Sequence, residues 1–153
     1  DFCESINKSE NFNKNYEALV VSDYNKGFLN IDYMKEISEK FTIPKFIDTK
    51  KNLGDWIKNF NYIKINKFEW DKRDKNYNYN NAIITKGSSG ALYKGKVYSV
   101  EKKVNVSNVS GAGDTFLAGL VFEYLKSNNI IKAIKFANSC ASKVVQYRNV
   151  TTI

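Results

Sequence analysis

The amino-acid sequence predicts an α/β fold, with three α/β/α layers built around a mostly parallel sheet. Short apolar runs rich in valine and isoleucine alternate with longer segments whose apolar residues recur every three or four positions. Two such helical segments, at about 111–125 and 130–147, end the sequence. Repeated strand–helix units of this size favour parallel strands with helices on both faces. Since no internal repeat or linker interrupts the pattern, we expect residues 1–153 to form a single domain.

The individual elements follow from local signals. Asn30 is a typical N-cap for a helix at 31–40, Pro44 ends that segment, and Asn52 is the expected cap of a short helix that reaches Phe60. Four strands and one hairpin complete the pattern. The strands are predicted at 19–22, 45–48, 62–65 and 82–85, and the hairpin pairs 91–93 with 97–100.

Composition narrows the function classes. No histidine is present, which excludes histidine-based acid–base catalysis and most zinc sites. The net charge of +8 is spread along the whole chain among many asparagines, so a solvated basic surface is favoured over a nucleic-acid-binding face. No apolar run approaches a membrane span. Cys3 and Cys140 lie far apart, which favours reduced thiols and a cytoplasmic location.

The strongest chemical signal is the segment S-G-A-G-D-T at 110–115, which opens an apolar helix. Two glycines let backbone N–H groups approach an anion without a Cβ in the way. At a helix N-terminus those N–H groups and the helix dipole favour a phosphate. The carboxylate of Asp114 follows directly, where it can accept a proton from an attacking hydroxyl. By itself, a glycine-containing helix start with an acidic first turn is also an ordinary cap.

Several segments, taken together, resemble the ribokinase/PfkB family of carbohydrate kinases, and specifically its C-terminal, nucleotide-binding half. They occur in the family's order at compatible spacing, from about residue 18 to the end. Two upstream segments look like the S-D-Y-x-K-G and D-P-K motifs of bacterial heptose 7-phosphate kinases within that family. The segments are S-D-Y-N-K-G at 22–27, D-T-K at 48–50, N-K-F-E at 66–69, T-K-G-S-S-G at 85–90, V-S-G-A-G-D-T-F at 109–116 and Asn138.

The resemblance implies a role for each matching residue in ATP-dependent phosphoryl transfer to a sugar or sugar phosphate. Gly111, Ala112 and Gly113 would form the anion hole over the transferring group, and Asp114 would be the catalytic base. The remaining roles concern the nucleotide, the metal and the sugar. Asn66 and Glu69 would organise Mg²⁺ beside the nucleotide, Thr85, Lys86, Gly87, Gly90 and Asn138 would contact the nucleotide, and Asp23 and Lys50 would face the sugar or its phosphate.

Asn66 and Glu69 also fit a second interpretation, because an asparagine followed three residues later by a glutamate is the pattern of a capping box. One departure concerns the further cofactor that the family suggests, a monovalent cation. Asn108 stands where the family usually has aspartate, and the lost charge would weaken a nearby cation site.

Family members carry about as much chain again before the S-D-Y segment, so we expect this sequence to represent part of a kinase, with most sugar contacts outside it. Two alternatives stay open at this stage. One is a non-catalytic nucleotide-binding or assembly module, and the other is a basic nucleic-acid-binding domain. An uncovered sheet edge would also favour a homodimer.

Overall fold

The computed structural model describes residues 15–100 and 104–147. The chain divides into two compact units, the first ending at Asn81 and the second beginning at Ala82. The first unit contains three parallel strands in the order β1-β2-β3. Its elements are β1 (Leu19–Asp23), α1 (Ile31–Lys40), β2 (Lys45–Thr49), a 3₁₀ turn (Asp55–Ile57), β3 (Tyr62–Asn66) and α2 (Lys67–Asp71).

Burial along the strands explains the order in the first unit. In β2 every residue after Lys45 is buried, as expected for a strand covered on both faces. Phe46 of β2 stacks on its register partner Tyr62 of β3, with ring centroids 5.3 Å apart. In β1 burial alternates instead, and Val20 remains 44% exposed. The central strand therefore forms the middle of this unit's core.

Helix α1 has the bounds that the sequence predicts. The Asn30 side chain accepts a hydrogen bond from Tyr33 N at 2.7 Å, which satisfies one of the free N–H groups of the first turn. At the other end, Lys45 Nζ donates to the carbonyls of Ser38 and Phe41 at 2.8 and 2.9 Å. A lysine from the next strand thus stabilises the helix C-terminus.

The predicted helix after Asn52 is wrong in extent and in its cap. Only a single 3₁₀ turn forms there, and its N-cap is Gly54 without a side-chain hydrogen bond. Asn52 contributes its carbonyl instead, which accepts from the Trp56 indole at 3.2 Å. Burial of Trp56 and Ile57 holds the turn in place, so packing outweighs the local capping signal.

The second unit combines an antiparallel β-meander with two helices. Its strands pair antiparallel in the order β4-β5-β6, whereas those of the first unit pair in parallel, so the strands that the structure describes are mixed in direction. The hairpin turns at Lys94 and Gly95, both with positive φ, as predicted, but its second strand is shifted and short. The elements are β4 (Ala82–Thr85), β5 (Ala91–Tyr93), β6 (Lys96–Tyr98), α3 (Ala112–Ser127) and α4 (Ile130–Val144).

Helices α3 and α4 form an antiparallel pair that packs closely at one glycine. A Cβ on Gly119 would lie 3.3 Å from the Cα of Ala137 and 3.2 Å from Sγ of Cys140, so a larger residue would push the helices apart. The connection is tight, because Asn128 adopts a left-handed conformation and Asn129 caps α4. Cys140 is a buried free thiol, while Cys3 lies outside the described residues. No helix within the described ranges has both the length and the apolar character for crossing a membrane.

Candidate active site

The glycine-rich segment before α3 forms the helix start that the sequence predicts. Gly111 has φ = +76°, a conformation that glycine adopts without strain, and α3 begins at the next residue. The preceding turn is held by Asn108, whose side chain accepts from Ser110 N at 2.9 Å. An aspartate would make the same turn, so the departure at Asn108 preserves the local geometry and changes only the charge.

The first turn of α3 presents a backbone donor together with the positive end of a sixteen-residue helix. The N–H of Ala112 donates to Val109 O at 3.2 Å. The N–H of Gly113 has no acceptor among the residues that the structure describes. Asp114 follows on the same turn and its side chain is exposed. Gly113 is therefore one of the expected anion-hole residues whose N–H group is suited to an anion.

A cavity of about 370 Å³ lies at this helix start, within the second unit. It is large enough for a ligand of nucleotide size. Most residues predicted to contact a nucleotide line it, although they come from three separate segments of the sequence. These residues are Thr85, Gly87, Gly90, Ala112, Gly113 and Asn138. Gly111, Asp114 and Lys86 are not among the lining residues.

The apolar walls of this cavity are not among the residues predicted from the sequence. Four valines before the start of α3 line it, as does Val145, which follows α4; the four are Val100, Val104, Val106 and Val109. The segment is attached to that helix end, because the Val145 carbonyl accepts from the N–H groups of residues 107 and 108 at 2.7 and 3.2 Å. The only sequence signal for this wall is the series of valines after the hairpin, and such a series is equally typical of a strand.

Gly90 and Gly87 shape the loop that enters the cavity from β4. Gly90 has φ = +88°, and a Cβ there would lie only 2.1 Å from the carbonyl oxygen of Tyr98. Gly87 also has a positive φ, of +56°, but no atom lies within 4 Å of its would-be Cβ. The loop is closed by Lys86 N, which donates to Gly90 O at 2.8 Å, while the Lys86 side chain is exposed. Both glycines therefore allow the loop backbone to adopt a conformation that other residues disfavour.

In the first unit, charged side chains gather at the carboxyl ends of the parallel strands, which is where open α/β sheets bind ligands. Asp23 joins β1 to β2. Its Oδ2 accepts from the Thr49 hydroxyl at 2.8 Å and lies 3.5 Å from Lys51 Nζ, and its Oδ1 accepts from Asn25 N at 3.0 Å. With both oxygens engaged, Asp23 holds two strand ends together, and its predicted contact with a sugar stays a prediction.

A buried ion pair links β2 to β3 in the same unit. Lys64 of β3 donates to Oδ2 of Asp48 in β2, and the two residues are only 4% and 6% exposed. Oδ1 of Asp48 is buried without a hydrogen-bond partner among the described residues. Burial raises the pKa of Asp48 above its ordinary value, although the Lys64 ammonium acts in the opposite direction. Lys64 is not among the residues predicted from the sequence, because a lysine within an apolar strand belongs to no distinctive motif.

Asn66 and Glu69 form a complete capping box at the start of α2. The Asn66 side chain accepts from Glu69 N at 2.9 Å, and the Glu69 carboxylate accepts from Asn66 N at 3.1 Å. The other Glu69 oxygen pairs with Lys50 Nζ. The capping interpretation of this motif is therefore confirmed, and a role in metal binding would have to be additional to it.

These contacts bear on how the pair could serve Mg²⁺. Carboxylate and amide oxygens are the donors that Mg²⁺ or its waters prefer. Each engaged oxygen of Glu69 retains further acceptor capacity, so the residues fit a hydrated ion held through water rather than a closed cage of protein ligands. No three acidic or cysteine side chains come together as metal ligands in residues 15–100 and 104–147.

Comparison with known proteins places the chain in a family. The model for the pfkB family of carbohydrate kinases matches residues 32–153, which is most of the sequence. The chain belongs to this family. Among similar curated proteins, the bifunctional protein HldE of Campylobacter concisus is 34% identical over 150 residues, and HldE of Nitratiruptor is 28% identical over 152. These alignments cover 83% and 86% of this chain but only 32% and 33% of those proteins. The chain therefore spans about a third of the length of these curated relatives.

Solved structures show the same fold. Ribokinase from Thermotoga maritima superposes with a TM-score of 0.73 at 16% identity, over 88% of this chain and 52% of that one. The nucleoside kinase of Methanocaldococcus jannaschii gives a TM-score of 0.69 at 22% identity, with the same two coverages. The predicted ribokinase-like α/β fold is confirmed.

Proposed function

We propose that this pfkB-family chain carries the nucleotide-binding half of an enzyme that transfers a phosphoryl group from ATP to a hydroxyl of a sugar or sugar phosphate. The observation that carries the proposal is the cavity at the start of α3, which Ala112 and Gly113 line, together with the exposed carboxylate of Asp114 on the same helical turn. Family membership and the HldE relatives support the same reaction class.

The nucleotide's two ends suit different parts of the second unit. The valine-rich walls provide apolar contact for a base, and the start of α3 favours the negative charge of phosphates. Gly111 and Gly113 leave room for phosphate oxygens near the backbone. Asp114 is accessible on the same turn and would accept the proton of the attacking hydroxyl. Phosphoryl transfer depends mainly on positioning and charge stabilisation, for which these groups are suited.

The roles of the first unit depend more on the family resemblance. Bound Mg²⁺ would neutralise charge on the phosphate oxygens. Asn66 and Glu69, which also cap α2, would hold its waters. Lys50, paired with Glu69 and partly exposed, is the better candidate of the two predicted sugar-facing residues, because Asp23 is only 6% exposed and already holds β1 to β2. The S-D-Y-N-K-G segment favours a heptose 7-phosphate as the acceptor. The buried free thiol of Cys140 agrees with a reducing cytoplasm.

The nucleic-acid alternative finds little support in the aromatic and basic segment 68–79. Its cations cover the chain's own rings. Arg73 lies 3.8 Å from the ring centroid of Trp70, and Lys72 lies 3.9 Å from that of Phe68. Aromatic side chains that stack on bases need open faces. The non-catalytic nucleotide-binding module differs from the kinase only in turnover, so a measurement of phosphoryl transfer separates the two.

The test is Asp114→Asn in a protein that joins this chain to a sugar-binding half. Loss of the base should lower the rate of phosphoryl transfer by about 100-fold or more, because asparagine cannot take the proton. Nucleotide affinity should change little. Glu123→Gln on the same helix is the matched control and should leave both quantities unchanged. A coupled ADP-release assay measures the rate, and near-normal turnover of the Asp114 variant would remove the catalytic role.

A further inference from the structure

One buried lysine of the first unit has no role assigned by any motif. Lys64 occupies the middle of β3 and is only 4% exposed. Lysine is almost never fully buried unless it is paired. Its ammonium donates to Asp48, the residue opposite it on β2, which is 6% exposed. Because both groups lose their hydration, a buried ion pair is weak evidence for stability, and this one calls for another explanation.

A second ion pair lies further along the same two segments. Lys50 follows β2 directly, and its N–H donates to Asp23 O at 3.0 Å, which continues the pairing with β1. Side chains two positions apart on a strand point to the same face, so Lys50 lies on the face that carries Asp48. Its ammonium pairs with Glu69 in the first turn of α2. Each of these two charges from the end of β2 is therefore matched by one from the segment 64–69.

Two lysines act on the same buried carboxylate. Burial raises the pKa of Asp48, and the Lys64 ammonium is the strongest opposing influence. Lys50 also lowers this pKa, whereas Glu69 raises it. Lys50 is thus within electrostatic reach of both carboxylates. Without the charge of Lys64, Asp48 and Glu69 would compete for the Lys50 ammonium.

Asp48 has the stronger claim in that competition. Its Oδ1 is buried without a hydrogen-bond partner among the described residues. The Glu69 carboxylate, by contrast, also accepts the N–H of Asn66 at 3.1 Å. Attraction between opposite charges grows as water is excluded. A lone buried carboxylate therefore draws a nearby ammonium more strongly than a carboxylate that caps a helix.

We propose that Lys64 is a positioning residue, whose ammonium neutralises Asp48 inside the sheet and thereby keeps the Lys50 ammonium at Glu69. There 36% of the Lys50 side chain is exposed, so that it can meet the phosphate of a sugar phosphate. The pairing does not depend on any activity. Its value for substrate binding rests on the proposed function.

Removal of the Lys64 charge tests the pairing. Lys64→Met keeps a long, unbranched side chain in the strand and removes the ammonium. In a crystal structure of the 153-residue variant, Lys50 Nζ should leave Glu69 and lie within hydrogen-bond distance of Asp48. In the double variant Asp48→Asn with Lys64→Met, the charge that attracts Lys50 is also absent, so the contact with Glu69 should return. A Lys50 that stays on Glu69 in Lys64→Met would overturn the proposal.

A milder substitution keeps the test decisive. Loss of one partner from a buried ion pair is strongly destabilising, so Lys64→Met can fail to fold. Lys64→Gln removes the charge but keeps a hydrogen-bond donor for Asp48. Movement of Lys50 to Asp48 in this variant supports the proposal, and an unchanged contact with Glu69 overturns it.

Kinetics of a protein that joins this chain to a sugar-binding half give the functional readout. Lys64→Met should raise the KM for a heptose 7-phosphate by about tenfold, as expected when one charged hydrogen bond is weakened. The kcat should change less, because Lys50 would contact the substrate's own phosphate rather than the reacting atoms. The double variant should restore the KM, which a merely structural loss would not do. Lys58→Met removes an exposed lysine that pairs with Asp55, and this matched control should leave both constants unchanged.

The two measurements fail in different ways. An unchanged KM in a variant whose Lys50 has moved would refute the contact between Lys50 and the substrate. Absence of turnover in the unmodified joined protein would refute the proposed function itself. An error about Lys64 would appear in the crystal structures, which require no activity.

Discussion

At the scale of single residues, the two glycines of T-K-G-S-S-G, Gly87 and Gly90, are required for different physical reasons. Both have positive φ, which disfavours any side chain. Only Gly90 also meets a neighbouring backbone, at the carbonyl of Tyr98. That same carbonyl accepts the Asn138 amide, so Gly90, Tyr98 and Asn138 form one contact that connects the loop after β4 to α4. The sequence motif identified the glycines but not this shared carbonyl.

We therefore expect Gly90→Ala to be much more harmful than Gly87→Ala. The Gly90 variant combines an unfavourable backbone conformation with a steric conflict, for an expected loss of about 2–5 kcal/mol in the free energy of unfolding. Gly87→Ala adds a Cβ in open space and should lose only about 1 kcal/mol, through its positive φ. Urea denaturation followed by circular dichroism measures both. Equal losses would show that backbone strain alone, without the steric conflict, explains the loss of stability at Gly90.

At the scale of elements, the five-residue helix α2 owes its start to the capping box of Asn66 and Glu69. Such a short helix has little stability of its own, so its two reciprocal hydrogen bonds matter. Glu69 also pairs with Lys50, which extends from the end of β2. The pair is partly exposed and is expected to contribute at most about 1 kcal/mol. The element thus combines a structural cap with a charge that a hydrated cation could use.

Two substitutions at Glu69 separate these roles. Glutamine keeps a carbonyl oxygen for the N–H of Asn66, so Glu69→Gln should leave the melting temperature almost unchanged. If Glu69 also holds the waters of Mg²⁺, loss of its charge should raise the Mg²⁺ concentration required for activity of the complete enzyme by about tenfold. Glu69→Ala removes both roles and should lower stability as well. A fixed metal requirement in Glu69→Gln would leave Glu69 with the capping role alone.

At the scale of the whole molecule, the chain covers about half of each ribokinase-like structure and a third of each HldE protein that it resembles. The residues of the candidate nucleotide cavity nevertheless lie within one unit, between Thr85 and Val145. Nucleotide binding is therefore expected of this chain without any other polypeptide. Transfer to a sugar requires in addition that the acceptor hydroxyl be held in line with the phosphate.

We predict that the 153-residue chain alone binds ATP weakly and does not phosphorylate sugars. The dissociation constant should fall between about tens of micromolar and millimolar, or roughly −4 to −6 kcal/mol. Positioning of the acceptor can contribute roughly 7–11 kcal/mol to catalysis, and the family resemblance assigns most of those contacts to a preceding half. Calorimetry with ATP and Mg²⁺ measures the first quantity. A coupled ADP-release assay over a panel of sugars and sugar phosphates measures the second, and robust sugar-dependent release would refute the prediction.

Local signals sufficed for much of the fold. The bounds of α1, the cap at Asn30, the hairpin turn and the helix start after Gly111 were all predictable, because each depends on residues within one or two turns of one another. The resemblance of ordered motifs correctly predicted the family. The helix predicted after Asn52 does not form, because burial of the more distant side chains Trp56 and Ile57 outweighs the local cap.

Tertiary structure alone decided which distant residues meet. Three features join positions that no sequence periodicity relates. They are the valine walls of the cavity, the hydrogen bond from Thr49 to Asp23, and the buried pair of Asp48 with Lys64. The polarity of Asn138 is the clearest case. An asparagine on an apolar helix face can be oriented either way, and the Tyr98 carbonyl, forty residues earlier, fixes which end of its amide faces β6. Such preferences arise from the geometry of contacts between strand and helix, which the order of residues does not express.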